Sequence, residues 1–374
     1  MKICLDIQSA IGQRAGVGRY ALSLAAHLAA EARDGDELAF FYFNFRRRQP
    51  PFSAPNARFR TCRFLPGALV QKAWTHLDWP PFDAFAGAHD LFHFPNFFIP
   101  PLRKGRAVVT IHDVSFLRFP EFAEARNQRY LERTIRQTVA RADAILTDSR
   151  FSAGEIAALL DVPPGRVHAV HLGVAPHMRP PPPETVAATR RRLGLERPYL
   201  LTVGTLEPRK NIPFLADVFE QLAGAYPGDL VLAGAPGWKV EAILARLARS
   251  PAADRIRRLD YTAEADLPAL YAGADCFLCA SHYEGFGLPP VEALACGAPV
   301  VSSPGGSLRE VLGESAILLD PVDPRLWADR IRELLENRPA RQAAIAAGFA
   351  QAARYTWPKT ARQTWEIYRK VDVS

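Results

Sequence analysis

Glu284 and Glu292 are the acids whose surroundings point most directly to chemistry. They bracket the segment Glu284-Gly285-Phe286-Gly287-Leu288-Pro289-Pro290-Val291-Glu292, and the apolar run Ala293-Leu294-Ala295-Cys296 follows. Glycines ahead of a proline, with acid in the first turn of what comes next, describe a loop feeding a helix N-terminus. Such an end carries partial positive charge and backbone N–H donors, which suits a phosphate or diphosphate. Were both acids on one helix, they would stand roughly 12 Å apart along its axis at about 1.5 Å per residue. A retaining glycosidase needs its two carboxyls about 5 Å apart, so a hydrolytic acid/nucleophile pair is excluded. A loop acid and a helix-start acid, each meeting a ligand hydroxyl, fit the spacing better. The plainer alternative is a favourable first-turn acid at Glu292 and a solvated loop residue at Glu284.

Upstream, Leu201-Thr202-Val203-Gly204-Thr205-Leu206-Glu207-Pro208-Arg209-Lys210-Asn211 reads as a strand, a glycine and two adjacent cations before a helix capped by Asn211. Two cations at a strand's carboxyl end form a clamp for a diphosphate. In the other half, Val108-Val109-Thr110-Ile111-His112-Asp113 delivers a histidine and an acid to a strand end. His112 is the first half's catalytic candidate, with His93 behind it. Gly16-Val17-Gly18-Arg19-Tyr20-Ala21 matches the dinucleotide fingerprint G-x-G-x-x-A, but residues 8–15 separate it from the first strand. The second strand ends in Arg46-Arg47-Arg48 rather than acid, which leaves an NADP-dependent oxidoreductase as a remote alternative. A helix start facing a phosphate explains Gly16 and Gly18 better.

Metal signals are weak. Asp34-Gly35-Asp36 has the form D-x-D but sits in a polar turn. Cys276 and Cys279 form C-x-x-C inside an apolar strand, where sulfurs three apart point to opposite faces. The five cysteines read as reduced core thiols of a cytosolic protein.

The elements that must position these groups alternate. Strands are expected at 2–7, 38–45, 90–94, 107–111, 144–148, 167–171, 199–204, 229–234, 275–279 and 299–302. Helices are expected at 17–32, 125–142, 151–160, 211–225, 238–249, 264–273, 290–296 and 324–336, and after Trp357-Pro358. That alternation implies an α/β protein with parallel sheets, whose chemistry collects at the strands' carboxyl ends. Pro180-Pro181-Pro182-Pro183 reads as a linker between 1–180 and 181–356. With 374 residues and 48% hydrophobic side chains the chain fills two such domains. Residues 1–180 hold 23 Lys and Arg against 16 Asp and Glu, and residues 181–374 hold 23 of each, so the whole +7 excess lies in the first half. An anionic partner follows for that half: a membrane surface, a lipid pyrophosphate or nucleic acid. Nucleic acid is set aside for want of an RNA-recognition motif or interleaved basic and aromatic runs. No uncharged apolar run is long enough to span a bilayer, and the N-terminus lacks a signal-peptide plan.

Taken together, the chain resembles the retaining glycosyltransferases of family four. The resemblance runs through Gly16-Val17-Gly18-Arg19-Tyr20, Thr110-Ile111-His112-Asp113 and Val203-Gly204 to Glu207-Pro208-Arg209-Lys210-Asn211. It continues in Gly234-Ala235-Pro236-Gly237-Trp238, Leu267-Pro268-Ala269-Leu270-Tyr271, Glu284 to Glu292 and Tyr355-Thr356-Trp357-Pro358-Lys359-Thr360-Ala361. It implies a GT-B fold, two Rossmann-like domains facing a central cleft, with the last helix, 357–374, crossing back to the first domain. His112 to Glu121 is most similar to bacterial mannosyltransferases that build surface polysaccharide. His171-Leu172-Gly173-Val174 departs from the family's usual wording before the linker, in a segment read as structural.

The resemblance also implies roles. Arg209 and Lys210 hold the donor diphosphate; Gly204 and the backbone of Gly285, Phe286, Gly287 and Leu288 approach it, and Glu284 bonds sugar hydroxyls. Glu292 bonds the ribose, Gly16 and Gly18 admit the phosphates, and His112 meets the transferred sugar from the opposite domain. The expected reaction moves a hexose, first mannose from GDP-mannose and otherwise glucose or N-acetylglucosamine from UDP, to a glycan or polyprenyl-diphosphate-linked acceptor. Neither cofactor nor metal is expected, since two cations and a helix N-terminus suffice for the leaving group. The expected location is cytoplasmic, peripheral to the inner face of the membrane.

Overall fold

A computed structural model of the chain describes residues 1–12, 16–54, 57–122, 125–260 and 262–373. Residues 13–15 of the loop ahead of Gly16 lie outside them. The chain forms two compact units: Met1–Leu117 with Arg126–Gly173 and Thr356–Ser374, and Val174–Tyr355 with Arg118–Ala125.

The first unit holds a seven-stranded sheet of β1 (Lys2–Asp6), β2 (Glu37–Phe43), β3 (Arg58–Cys62), β4 (Leu91–Phe94), β5 (Arg106–Thr110), β6 (Ala144–Thr147) and β7 (Val167–Ala169), in the order β3-β2-β1-β4-β5-β6-β7. The second holds β8 (Tyr199–Val203), β9 (Asp229–Ala233), β10 (Ile256–Leu259), β11 (Cys276–Cys279), β12 (Val300–Ser302) and β13 (Ile317–Leu318), in the order β10-β9-β8-β11-β12-β13. Every pairing is parallel. The central strands are mostly apolar and buried because helices cover both faces. In each sheet the order reverses beside the first strand, between β1 and β4 and between β8 and β11, and ligands enter such sheets at that crevice.

In the second unit, helix Ile212–Leu222 buries Phe214, Leu215, Val218 and Phe219 while Pro324–Glu336 buries Trp327 and Ile331; the Phe214 and Trp327 rings meet edge to face at 5.4 Å. Each fully buried ring of this size contributes about 2–3 kcal/mol from area alone. The last helix, Trp357–Val373, belongs to the first unit. Trp365 Nε1 donates to Leu28 O at 3.1 Å, and Thr360 Oγ1 donates to His171 O at 2.7 Å. Gly173 leaves no room for a side chain against this helix, since a Cβ there would lie 2.2 Å from Trp357 N.

Three strands escape the sequence pattern: β3, β10 and β13. β3 and β10 are edge strands that expose Arg58, Arg60, Arg257 and Arg258 and carry no apolar run, and β13 has only two residues. Helices Gly67–Leu77, Pro183–Arg192 and Arg338–Ala352 were likewise unread; each buries only one or two side chains. Asp34-Gly35-Asp36 is a turn, with Gly35 at φ +90° and Asp36 facing the amino terminus and Arg369. Among the described residues no helix is long and apolar enough to cross a membrane.

Candidate functional site

β8 and β11 are neighbours, so the segments that leave their carboxyl ends meet. Gly204 makes the first bend at φ +145°, and Gly234 packs so closely that a Cβ on it would lie 1.9 Å from the Gly204 carbonyl oxygen. The chain then reaches Pro208–Lys210, a single 3₁₀ turn. From β11, Ala280 to Gly287 runs back alongside it, and His282 N donates to Arg209 O at 2.9 Å.

Arg209 and Lys210 converge on Glu284. Lys210 Nζ donates to Glu284 Oε1 at 2.5 Å and Arg209 Nη1 to Oε2 at 2.9 Å, and Ser281 Oγ donates to Oε1 at 2.6 Å. Glu284 is buried, not solvated. Burial by itself would raise its pKa, but Lys210 and Arg209 outweigh that and hold it at about 2. Arg209 is fixed by three further hydrogen bonds to two partners: Nε and Nη2 donate to Glu207 Oε1 at 3.0 and 2.6 Å, and Nη1 donates to Tyr283 O at 2.6 Å. Burial pushes the Glu207 carboxyl up, with Arg209 and Lys210 opposing. Two cations thus stand beside two carboxylates in a site with small exposure, where charges act strongly. A small cavity beside Lys210 and Glu284 is also lined by Thr202, Gly204, Cys279 and Ser281.

The expected helix is present but spans Leu288–Ala295, two residues ahead of the expected start, and follows Gly287 at φ +85°. Two details differ from the sequence reading. Glu292 lies in the second turn, not the first, because the helix starts at Leu288; it is buried and accepts from Tyr271 OH at 3.0 Å. Pro289 and Pro290 occupy the first turn and lack N–H groups, so fewer backbone donors point out of this end than an ordinary helix supplies. Asn211 also differs. It precedes helix Ile212–Leu222 in a left-handed conformation, φ 51°, and its side chain makes no capping bond.

Sequence reasoning missed what cradles the loop. Ser307 N and Oγ both donate to Glu284 O, at 2.9 and 3.0 Å, and Ser303 Oγ donates to Ser281 O at 2.5 Å. Gly306 has φ +65°, and a Cβ on it would lie 2.4 Å from Glu284 O. The available signal was Ser303-Pro304-Gly305-Gly306-Ser307, a glycine turn at a strand end. Also missed was the segment holding Phe119 and Phe122. Phe119 meets Tyr283 at 5.9 Å, Phe122 stacks on His282 at 5.2 Å, and Trp238 Nε1 donates to Phe122 O at 2.5 Å.

In the first unit a second polar cluster lies at the ends of β4, β5 and β6. His112 Nδ1 and Asp148 Oδ2 are 2.8 Å apart, and Tyr20 stands edge-on to the imidazole at 4.6 Å. Burial would lower the His112 pKa, but the Asp148 carboxylate overrides it and raises it. His112 Nε2 is buried and makes no hydrogen bond among the described residues. His93 differs in kind: it bridges Tyr368 OH at 2.5 Å and Thr110 Oγ1 at 2.8 Å, and burial lowers its pKa to about 3, so it is a neutral core residue. Gly18 is buried in helix Gly16–Ala30; Gly16 opens that helix, and a Cβ there would meet nothing within 4 Å. The fold therefore does not itself demand glycine at position 16. Asp148 was not singled out from the sequence, although Thr147-Asp148-Ser149 is the same strand-end grammar as Ile111-His112-Asp113.

Among the described residues no three His, Cys, Asp or Glu side chains are grouped to hold a metal ion. Cys276 and Cys279 are free and buried, and burial pushes the Cys276 thiol up to about 12.

The two parallel-sheet, Rossmann-like units have the GT-B architecture. The chain belongs to glycosyltransferase family 4: residues 14–177 match the family model described as Glycosyltransferase Family 4, and residues 187–351 match Glycosyl transferases group 1. It is 34% identical over 376 residues to O-antigen chain mannosyltransferase B of Escherichia coli, covering 95% of this chain and 96% of that one. It is 36% identical over 246 residues to a D-inositol 3-phosphate glycosyltransferase of Thermobispora bispora, covering 62% of this chain and 57% of that one. Among solved structures, sucrose-phosphate synthase from Thermosynechococcus elongatus superposes with TM-score 0.77 at 20% identity over 99% of both chains. WaaG, a glycosyltransferase of lipopolysaccharide biosynthesis, superposes with TM-score 0.72 at 15% identity over 98% of this chain and 99% of that one. At these identities the two structures bear on the fold.

Proposed function

We propose that the protein transfers mannose from GDP-mannose, with retention and without a divalent ion, to a glycan or polyprenyl-diphosphate-linked glycan of a surface polysaccharide. The observation that carries this is the convergence of Arg209 and Lys210 on Glu284 between β8 and β11. The donor diphosphate takes the two cations, and Glu284 takes sugar hydroxyls. The sugar's C1–O bond to the diphosphate breaks as the acceptor oxygen bonds to C1 on the same face, and the acceptor proton passes to the departing phosphate. Charge growing on that phosphate is met by fixed cations, which lowers the barrier without reorganisation. Glu292, held by Tyr271, takes the ribose hydroxyls. His112, oriented by Asp148, leaves Nε2 to the transferred sugar.

The choice of mannose leans on the Escherichia coli relative, whose name specifies that sugar and which is matched nearly end to end. UDP-glucose and UDP-N-acetylglucosamine are the alternative donors. The reading places the enzyme on the cytoplasmic side of the membrane, where a lipid-linked acceptor is presented. Family membership sets the oxidoreductase alternative aside.

Calorimetry of GDP-mannose, UDP-glucose and UDP-N-acetylglucosamine in EDTA tests it. Tight binding of GDP-mannose alone, lost in Glu292→Ala, supports the reading. Binding only after Mg²⁺ or Mn²⁺ is added overturns metal independence, and binding of a UDP-sugar alone replaces the donor.

A further inference from the structure

We infer that the outer face of helix Gly67–Leu77, with the loops that follow β2 and β3, docks on an anionic lipid bilayer. The surface combines two features that globular proteins normally keep apart. Phe64 is 90% exposed, Leu77 71%, Trp79 65% and Leu69 58%, all within sixteen residues of chain. The helix buries only Val70 and Trp74, one turn apart, so Leu69, Lys72, His76 and Leu77 are turned outward. A cluster of exposed apolar side chains is the mark of an interaction site rather than of ordinary surface.

The same stretch carries the charge. Residues 45–79 contain seven Lys and Arg against Asp78 as the one acid, which nearly accounts for the net +7 of the whole protein. The topology gathers four of them, Arg46, Arg47, Arg48 and Arg63, whereas Arg58 pairs with Glu37 at the other end of β3. β2 and β3 are parallel neighbours with Phe43 opposite Cys62, so Phe45-Arg46-Arg47-Arg48 and Arg63-Phe64-Leu65 leave the same edge of the sheet. Asn44 ties them together: its N–H donates to Cys62 O at 2.7 Å, and its side chain accepts from Arg48 N at 2.7 Å. The helix then begins against Phe43, whose Cβ lies 3.0 Å from where a Gly67 Cβ would be.

A bilayer matches both features at once: Phe64, Leu69, Leu77 and Trp79 enter the interface while Arg46, Arg63 and Lys72 meet lipid phosphates. A second copy of the chain matches them poorly. A two-fold contact would set the same cations face to face. The inference gives the proposed lipid-linked acceptor a place to be collected, and to that extent rests on that reading. Its test needs neither donor nor acceptor.

The test is co-sedimentation of the full chain with vesicles of phosphatidylcholine alone or mixed with phosphatidylglycerol. Binding to the mixed vesicles, weakened in 1 M salt, is expected because the Debye length falls to about 3 Å there. Arg46→Gln/Arg63→Gln/Lys72→Gln should lower partitioning about 100-fold, at about fivefold per charge. Phe64→Ser/Leu69→Ser/Leu77→Ser should lower it at least about tenfold at unchanged charge. Both variants should keep sugar-nucleotide binding by calorimetry, which separates failure here from failure of the donor site. Equal binding to both vesicles, no binding to either, or a wild-type dimer in sedimentation velocity that the serine variant abolishes would each overturn the inference.

Discussion

Lys210 Nζ lies 2.5 Å from Glu284 Oε1, joining side chains 74 positions apart across two adjacent strand ends. The carboxylate stays ionised because Arg209 and Lys210 both reach it. Cations so placed are already oriented when charge develops on a leaving phosphate. Arg209→Ala and Lys210→Ala should each raise the barrier by about 2–4 kcal/mol, the usual cost of one preorganised charge-stabilising donor. Steady-state kcat/KM with the identified donor checks this, and wild-type rates in both variants would remove the pair from the reaction.

The same contact predicts an acid response. Glu284 has its pKa lowered from 4.5 to about 2 in the folded protein. A lowered folded pKa stabilises the protein fully above the unfolded value, and the contribution is lost as pH falls from about 4.5 through about 2. Glu284→Gln cannot titrate, so the variant's stability should depend on pH less steeply across that window. The difference should approach one proton, about 1.4 kcal/mol per pH unit. Urea unfolding at pH 4.5, 3.5 and 3.0 reads the slope; parallel slopes would mean that the carboxyl is not held by its cations.

How far the site was legible depended on whether a residue's role shows in its own neighbourhood. Glu284, Arg209 and Lys210 sit in stretches whose glycines, prolines and apolar runs announce strand ends and a helix start. The alternation of such stretches was enough for the two parallel sheets. Ser303 and Ser307 act through contacts with the backbone of Ser281 and Glu284, 22 and 23 positions away, which no local pattern encodes. The first-turn placement of Glu292 failed because Leu288 joins the helix ahead of the prolines, so the whole frame slides by half a turn. β3 went unread for a related reason: Arg58-Phe59-Arg60-Thr61-Cys62 has the alternation of an edge strand but not the apolar run of a central one. Its position became visible only through its register with β2.

His112 carries a prediction that separates orientation from mere burial. Its Nδ1 faces Asp148, which raises the imidazole pKa against the effect of burial. Asp148→Asn keeps the shape and removes the charge, so His112 should titrate at lower pH. A raised histidine stabilises the fold below its unfolded pKa, near 6.5, and that contribution is lost as pH rises through the folded value. The variant should therefore lose more stability at pH 5.5 than at pH 8.5. Histidine ring NMR titration with paired unfolding curves checks both parts. An unmoved His112 resonance would deny Asp148 its positioning role.

Backbone room, rather than charge, constrains position 306. Gly306 sits at φ +65°, with the Glu284 backbone so close that a Cβ would lie 2.4 Å from its oxygen and 2.6 Å from its nitrogen. Neither atom yields as a flexible side chain would, and Ser307 fixes the same carbonyl with two hydrogen bonds. Gly306→Ala must therefore push the Glu284 loop away from Arg209 and Lys210, loosening a buried ion pair whose breakage costs about 3–5 kcal/mol. Gly154 is the control. It lies exposed in helix Arg150–Leu160, and a Cβ there meets nothing within 4 Å. Gly154→Ala should stabilise the protein by about 0.5–1 kcal/mol through helix propensity alone. Thermal unfolding and donor calorimetry on the two variants distinguish the cases: position 306 should lose stability and donor affinity together, whereas position 154 should gain stability with affinity unchanged. Full donor affinity in Gly306→Ala would show that the loop holds its place without this contact.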